Sequence, residues 1–147
     1  MIKVNVECDP LLKSPDKKNV LDLVTLTLEN FKYKDSDISI IFSKDELLTE
    51  LKKEFFQKDQ LTDVIAFRLN EYDLKEIEGE IYISLPRAQE NSKLYSEKYE
   101  QEVSRLIIHG CLHLMGYDDD TKQKKLKMTE LENKMLKIFK NKNIFEG

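Results

Sequence analysis

Leu106–Asp120 reads LIIHGCLHLMGYDDD, and its first ten residues decide the fold. Between Leu106 and Met115 the only polar side chains, apart from weakly polar Cys111, are His109 and His113. On a helical wheel Val103, Ile107, Gly110 and Leu114 share one face, and Ile108, Leu112 and Met115 another. A helix that is apolar nearly all round is buried, so this segment predicts a largely buried helix. The chain's two histidines both lie here. Side chains four residues apart share a stripe, with β-carbons about 6 Å apart. Two imidazoles held there repel if both are charged. If both are neutral and unpaired, each costs about 1–3 kcal/mol. A shared metal ion resolves both problems; the plainer alternative is a hydrogen-bonded pair of core histidines.

A metal needs a third ligand. Gly116 follows at the end of the apolar pattern, where a left-handed cap favours glycine and turns the chain back. Asp119 then stands ten residues after His109. The resulting pattern, H-x-x-x-H-x-x-G-x-x-D, has the ligand spacing of the metzincin zinc proteases, with Asp in place of the last His. Zinc accepts both residue types and, in catalytic sites, keeps a position for water. Those proteases need a Glu after the first His as general base; here that residue is Gly110. Glycine costs about 1 kcal/mol inside a helix, so either a strand or a substrate is expected to approach its backbone. Cys111 lies about 160° from His109 on the wheel and reads as a small core residue. Asp120 reads as a cap for the following helix.

Outward from this helix, the rest of the chain alternates. Ile2, Val4 and Val6 interleave with polar residues as a half-buried strand. Ser14 as N-cap and Pro15 in the first turn start a helix carrying Val20, Val24, Leu28 and Phe31. SDISIIFS is a second strand. Ser43 and Glu46 form a capping-box pattern into a helix with Leu47, Leu48, Leu51 and Phe55. TDVIAFRL and GEIYIS are a third and fourth strand, separated by about ten residues around NEYDLKEIEG, longer than a tight hairpin needs. The histidine helix is expected from near Tyr95 to Met115. A last helix, from about Thr121 to Lys140, places Met128, Leu131, Met135 and Ile138 on one stripe. The expected fold is α/β (α+β): a sheet of about four strands packed by about five helices, the metal site on a helix of the C-terminal half.

Composition sets the bounds. The 147 residues are 40% hydrophobic and 35% charged, with no internal repeat or low-complexity tract, as expected of a single domain over 1–147 with its own core. No apolar run approaches the roughly 20 residues that span a bilayer, and the N-terminus reads as a strand rather than a signal peptide. Two cysteines make no disulfide framework, so a cytoplasmic protein with reduced thiols is expected. The net charge of -4 hides a split: residues 121–143 hold eight Lys and two Glu. That segment is either a solvated helix face or a surface that meets phosphate.

The stretch HGCLHLMGYDD resembles the hallmark H-G-x-L-H-L-x-G-Y-D-H of the YbeY family, metal-dependent endoribonucleases that act as bacterial rRNA maturation factors. It departs from it only at the last ligand. LTDVIAF is similar to the family's T-[DN]-V-L-S-F and GEIYIS to its G-D-I-x-I-S, in the same order. The similarity is best from about Lys58 to Phe139. The resemblance implies a mostly parallel sheet and one zinc ion on His109, His113 and Asp119, with His109 as candidate catalytic residue. It also implies cleavage of single-stranded RNA in small-subunit rRNA maturation and ribosome quality control, with rRNA and the ribosome or its small subunit as partners. An Asp ligand adds negative charge, lowers the metal's Lewis acidity and tilts selectivity toward harder divalent ions. The family's usual Arg before T-D-V aligns at or near Phe56.

Three functions follow. A nuclease would use the metal to polarise phosphate or activate water, with the base a water so activated, a ligand-shell carboxylate or the RNA 2′-hydroxyl. Asp63 and Arg87 are possible neighbours of such a site. Lys122, Lys124, Lys125 and Lys127 would attract the RNA backbone. A metal-dependent peptidase has the spacing but lacks the base. A non-catalytic ribosome assembly factor would use the metal to hold its C-terminal helices, and would close the metal with a fourth protein ligand.

Overall fold

The computed structural model describes residues 1–58, 60, 62–140 and 142–147. Its elements are β1 (Lys3–Cys8), α1 (Lys17–Asn30), β2 (Asp37–Ser43), α2 (Asp45–Phe56), β3 (Val64–Arg68), β4 (Glu78–Ser84), α3 (Leu85–Leu94), α4 (Tyr99–Leu114) and α5 (Lys122–Ile138). The sheet order is β1-β2-β4-β3; β1, β2 and β4 are parallel, and β3 runs antiparallel to β4. The mixed, mostly parallel sheet is thus the expected one. Leu61, the first residue of the LTDVIAF match, lies outside the described residues.

Alternation decides which face of each strand is buried. Ile38, Ile40 and Phe42 of β2 and Ile81 and Ile83 of β4 are fully buried, while Ser39, Ile41, Glu80 and Tyr82 between them are half-buried. α4 lies on the buried face at the centre of the molecule, in contact with β3, β4, α1, α3 and α5. Val103, Ile107, Ile108, Gly110, Cys111 and Leu112 of α4 are all buried, as an all-round apolar helix requires. Gly110 is where the sheet comes closest: a Cβ there would lie 2.6 Å from Cγ2 of Ile81. The close neighbour expected at this glycine is a strand.

The antiparallel connection from β3 to β4 spans residues 69–77, and Arg68 organises it. Its guanidinium donates to the carbonyls of Glu71, Leu74 and Glu76, to Asn70 Oδ1, and to the Leu114 carbonyl at the end of α4 (2.6 Å).

Several sequence expectations need correction. The cap of α1 is Asp16, whose carboxylate accepts from Asn19 N–H at 3.0 Å, not Ser14. Ser43 does not open a capping box, because the β2–β4 ladder extends to the Ser43–Ser84 pair and keeps Ser43 in the strand. The sequence pattern does not set α3 apart, although Ser84 accepting from Arg87 N–H (3.2 Å) with Pro86 in the first turn is a regular helix start. Ser96, at φ 54, then separates α3 from α4, which begins at Tyr99 rather than near Tyr95. On α5, Ile138 is 40% exposed, and Leu136 and Phe139 complete the buried stripe instead.

Candidate metal centre

The site begins with the way α4 ends. Gly116, at φ 102, donates its N–H to the His113 carbonyl, and Tyr117 N–H reaches back to Leu112, both at 3.0 Å. This pair of bonds is a Schellman cap. It reverses the chain and returns Asp119 to the histidine stripe. His109 Nε2 and His113 Nε2 are 3.0 Å apart, and Asp119 Oδ2 lies 3.4 Å from the first and 3.7 Å from the second. Ligand atoms at 2.0–2.1 Å on a tetrahedral zinc are separated by about 3.3 Å, so this triangle has the dimensions of three corners of such a site. Among the described residues, no fourth His, Cys, Asp or Glu joins the group. Asp118 is exposed. Asp120 pairs with Lys124 at 3.2 Å and does not cap α5, a role taken by Thr121, which accepts from Lys124 N–H. Cys111 is fully buried, its thiol pushed up to about 12 by burial, and belongs to the core.

Sequence reasoning missed Glu132. It lies on the buried stripe of α5 with Met128, Leu131 and Met135, and is 5% exposed. Its Oε2 is 2.6 Å from His109 Nδ1. With Nδ1–H donating to this carboxylate, the Nε2 lone pair is left facing Asp119 and His113. A glutamate four residues after Met128, on an otherwise apolar stripe, was the available signal. Burial disfavours charge on His109, but the hydrogen bond and charge of Glu132, with Asp119 and Asp63 behind, outweigh it and raise its pKa. Burial and then the charge of His109 depress His113, partly offset by Asp119.

A cleft of about 530 Å³ opens beside His109, lined also by Asp63, Glu102, Arg105, Asp119 and Lys125. Asp63 therefore does border the site, held by Asn91 Nδ2–H at 2.9 Å. Glu102 shares the same Asn91 nitrogen (3.3 Å) and is 3% exposed. Burial, helped by the charges of Glu97 and Asp63, pushes its carboxyl up to about 7 against the pull of Asn91 and Arg105. Arg87 does not line the cleft; it pairs with Asp45 at 3.2 Å. Phe56, where the family's Arg aligns, stacks on Phe67 with centroids 6.0 Å apart, under the ammonium of Lys52. Lys122, Lys124, Lys125 and Lys127 are all exposed on α5, and Lys127 faces Glu130 at 3.9 Å.

Fold and site together define a class: an α/β layered protein in which an H-x-x-x-H helix and an aspartate after its glycine turn could hold one divalent ion. The sequence profile of the Endoribonuclease YbeY family matches residues 7–140. Relatives bearing that name include one from Flavobacterium psychrophilum, 34% identical over 95% of this chain and 96% of its own length. Another, from Amoebophilus asiaticus, is 36% identical over 85% of this chain and 84% of its own. The solution structure of a Thermotoga maritima protein shares the fold, with a TM-score of 0.60 at 24% identity, covering 98% of this chain and 96% of that one. The chain belongs to the YbeY endoribonuclease family.

Proposed function

We propose that this chain is a cytoplasmic, metal-dependent endoribonuclease that cuts single-stranded RNA, acting on small-subunit rRNA in maturation and ribosome quality control. One observation carries the reading: two imidazole nitrogens and one carboxylate oxygen converge in a triangle of 3.0–3.7 Å, with no fourth protein donor among the described residues. His109, His113 and Asp119 would hold the ion, zinc or a harder divalent ion favoured by the Asp. Such an ion supplies Lewis acidity toward a phosphoryl oxygen and lowers the pKa of water. The chain's own residues set the rest. Glu132 keeps the proton of His109 on Nδ1 and so keeps Nε2 available. Asp63 gives the adjoining cleft an acidic side chain, Glu102 adds a carboxyl that burial pushes up to about 7, and Lys125 stands at its edge with His109 and Asp119. Lys122, Lys124 and Lys127 extend that positive edge along α5 toward the RNA backbone.

The peptidase alternative loses its base for a structural reason. Position 110 faces Ile81 on β4, with no room for a side chain, so a glutamate there could not reach the cleft. The assembly-factor alternative needs a closed, four-ligand metal, and Asp118 and Asp120 do not supply the fourth.

The test measures metal content by elemental analysis, and cleavage of a single-stranded RNA, in the wild type and a His109→Ala, His113→Ala double variant. About one metal per wild-type chain, with cleavage lost in the variant, is the expected result. Metal without cleavage would favour the assembly factor. A wild type that binds no added zinc would reduce the histidines to a core pair.

A further inference from the structure

We infer that Arg105 is a positioning residue for the metal centre, acting on His109 through Glu132; the inference rests on the reading of His109 as a ligand. Glu132 divides its two oxygens, Oε2 to His109 Nδ1 at 2.6 Å and Oε1 to Arg105 Nη1 at 3.2 Å. Arg105 and His109 are four residues apart on α4, so one carboxylate from α5 spans one turn of the neighbouring helix. The guanidinium is itself held on several sides. Nη1 also donates to Asn133 Oδ1 at 2.9 Å, Nη2 to Glu97 Oε1 at 3.0 Å, and Nε lies 4.0 Å from Glu102 Oε1. Its contact to Glu132 is a single charge-assisted bond, Nη1–H to Oε1, from a guanidinium whose own plane is held by Asn133 and Glu97. With Oε1 tied down, Oε2 has one direction left, and the imidazole ring it holds is fixed with it. Histidine ligands depend on such outer partners for ring orientation, and losing one costs 10–100-fold in metal affinity.

Packing alone does not explain the pair. Glu132 lies on an apolar stripe, and replacing a buried ion pair by apolar side chains is often neutral or stabilising. The arrangement also accounts for how α5, which contributes no ligand, takes part in the site.

The experiment titrates the apo protein with Co²⁺ and Zn²⁺ in competition with a chromophoric chelator, records the Co²⁺ d–d spectrum, and follows thermal unfolding of the same apo samples. Four proteins are compared: wild type, Arg105→Met, Glu132→Gln and the double variant. Arg105→Lys serves as the conservative replacement should Arg105→Met not fold. Arg105→Met or Arg105→Lys should weaken metal binding by about 10-fold, and Glu132→Gln by about 10–100-fold. The double variant should bind no worse than Glu132→Gln alone, since Arg105 acts through Glu132. A shifted Co²⁺ spectrum should accompany the loss. Wild-type affinity in the Arg105 variants, or losses that multiply in the double variant, would overturn the inference while leaving the metal centre intact. A wild type that binds neither ion would overturn the metal centre and this inference with it.

Discussion

Gly110→Ala tests the packing that places the metal helix. The new Cβ would lie 2.6 Å from Cγ2, 3.0 Å from Cδ1 and 3.2 Å from Cγ1 of Ile81. Carbon atoms rest about 3.5–4.0 Å apart, so three contacts are violated at once, the worst by about 1 Å. Ile81 is fully buried in the central strand pair and cannot swing aside. Overpacking of this kind costs about 1–3 kcal/mol, and the better helix propensity of alanine returns about 1 kcal/mol. With a β-branched, fully enclosed neighbour the upper part of the range applies, leaving a net loss of about 1–2 kcal/mol. For a chain of this size that is a fall in Tm of about 3–6 °C, measurable by calorimetry on apo protein. In an Ile81→Ala background the penalty should vanish, because every clashing atom has gone. A rise in Tm for Gly110→Ala alone would refute the reasoning, since only helix propensity would then be at work.

Three further outcomes are expected. Glu102 has a folded pKa of about 7, above its ordinary value of 4.5; its stabilising neutral form is present in full below pH 4.5 and is lost as pH rises toward 7, costing up to about 3 kcal/mol. Glu102→Gln should therefore gain on the wild type in urea unfolding between pH 5 and pH 8; a gap that does not change with pH would count against this assignment. Arg68→Met removes charge-assisted bonds to the Leu114 carbonyl and the 69–77 loop, so a loss of about 1.5–3 kcal/mol and faster amide exchange in that loop are expected, whereas unchanged exchange would mean the loop holds itself. Neutralising Lys122 and Lys125 should flatten the salt dependence of RNA affinity by about 0.7 per lost phosphate contact. Lys124 and Lys127, already facing Asp120 and Glu130, should matter less, and an unaltered slope in all four would remove α5 from RNA binding.

The strands and the central helix were legible because their periods are clean. Ile38, Ile40 and Phe42 alternate, and from Leu106 to Leu114 α4 is apolar apart from the histidine stripe. The turn at Gly116 was legible too, since only a left-handed cap brings a residue three places later back over the helix. Harder to read were helix starts competing with other partners. Ser43 looked like a cap until the sheet claimed it, and α3 was hidden by its polar composition and by Ser96. The supporting half of the site was out of reach for a different reason. Glu132 meets His109 across 23 residues and Arg105 meets Glu132 across 27, and no local spacing rule joins partners contributed by separate helices. A charged residue on an apolar stripe says that it has a partner but not which one.

The strand order also bears on the order of events during synthesis. Among the described residues β3 hydrogen-bonds as a strand only with β4, so when VIAFR leaves the ribosome its strand partner does not yet exist. Until residues 78–84 follow, a short apolar segment waits with its backbone bonds unmade, the condition in which nascent chains associate wrongly. A charged residue stands at each end, Asp63 before it and Arg68 as its last residue, and charges at the ends of an apolar segment act as gatekeepers against association. Both are then reused: Arg68 gathers the loop once β4 arrives, and Asp63 turns toward Asn91 at the mouth of the cleft. The two residues that bound this segment in sequence thus become structural members of the finished fold.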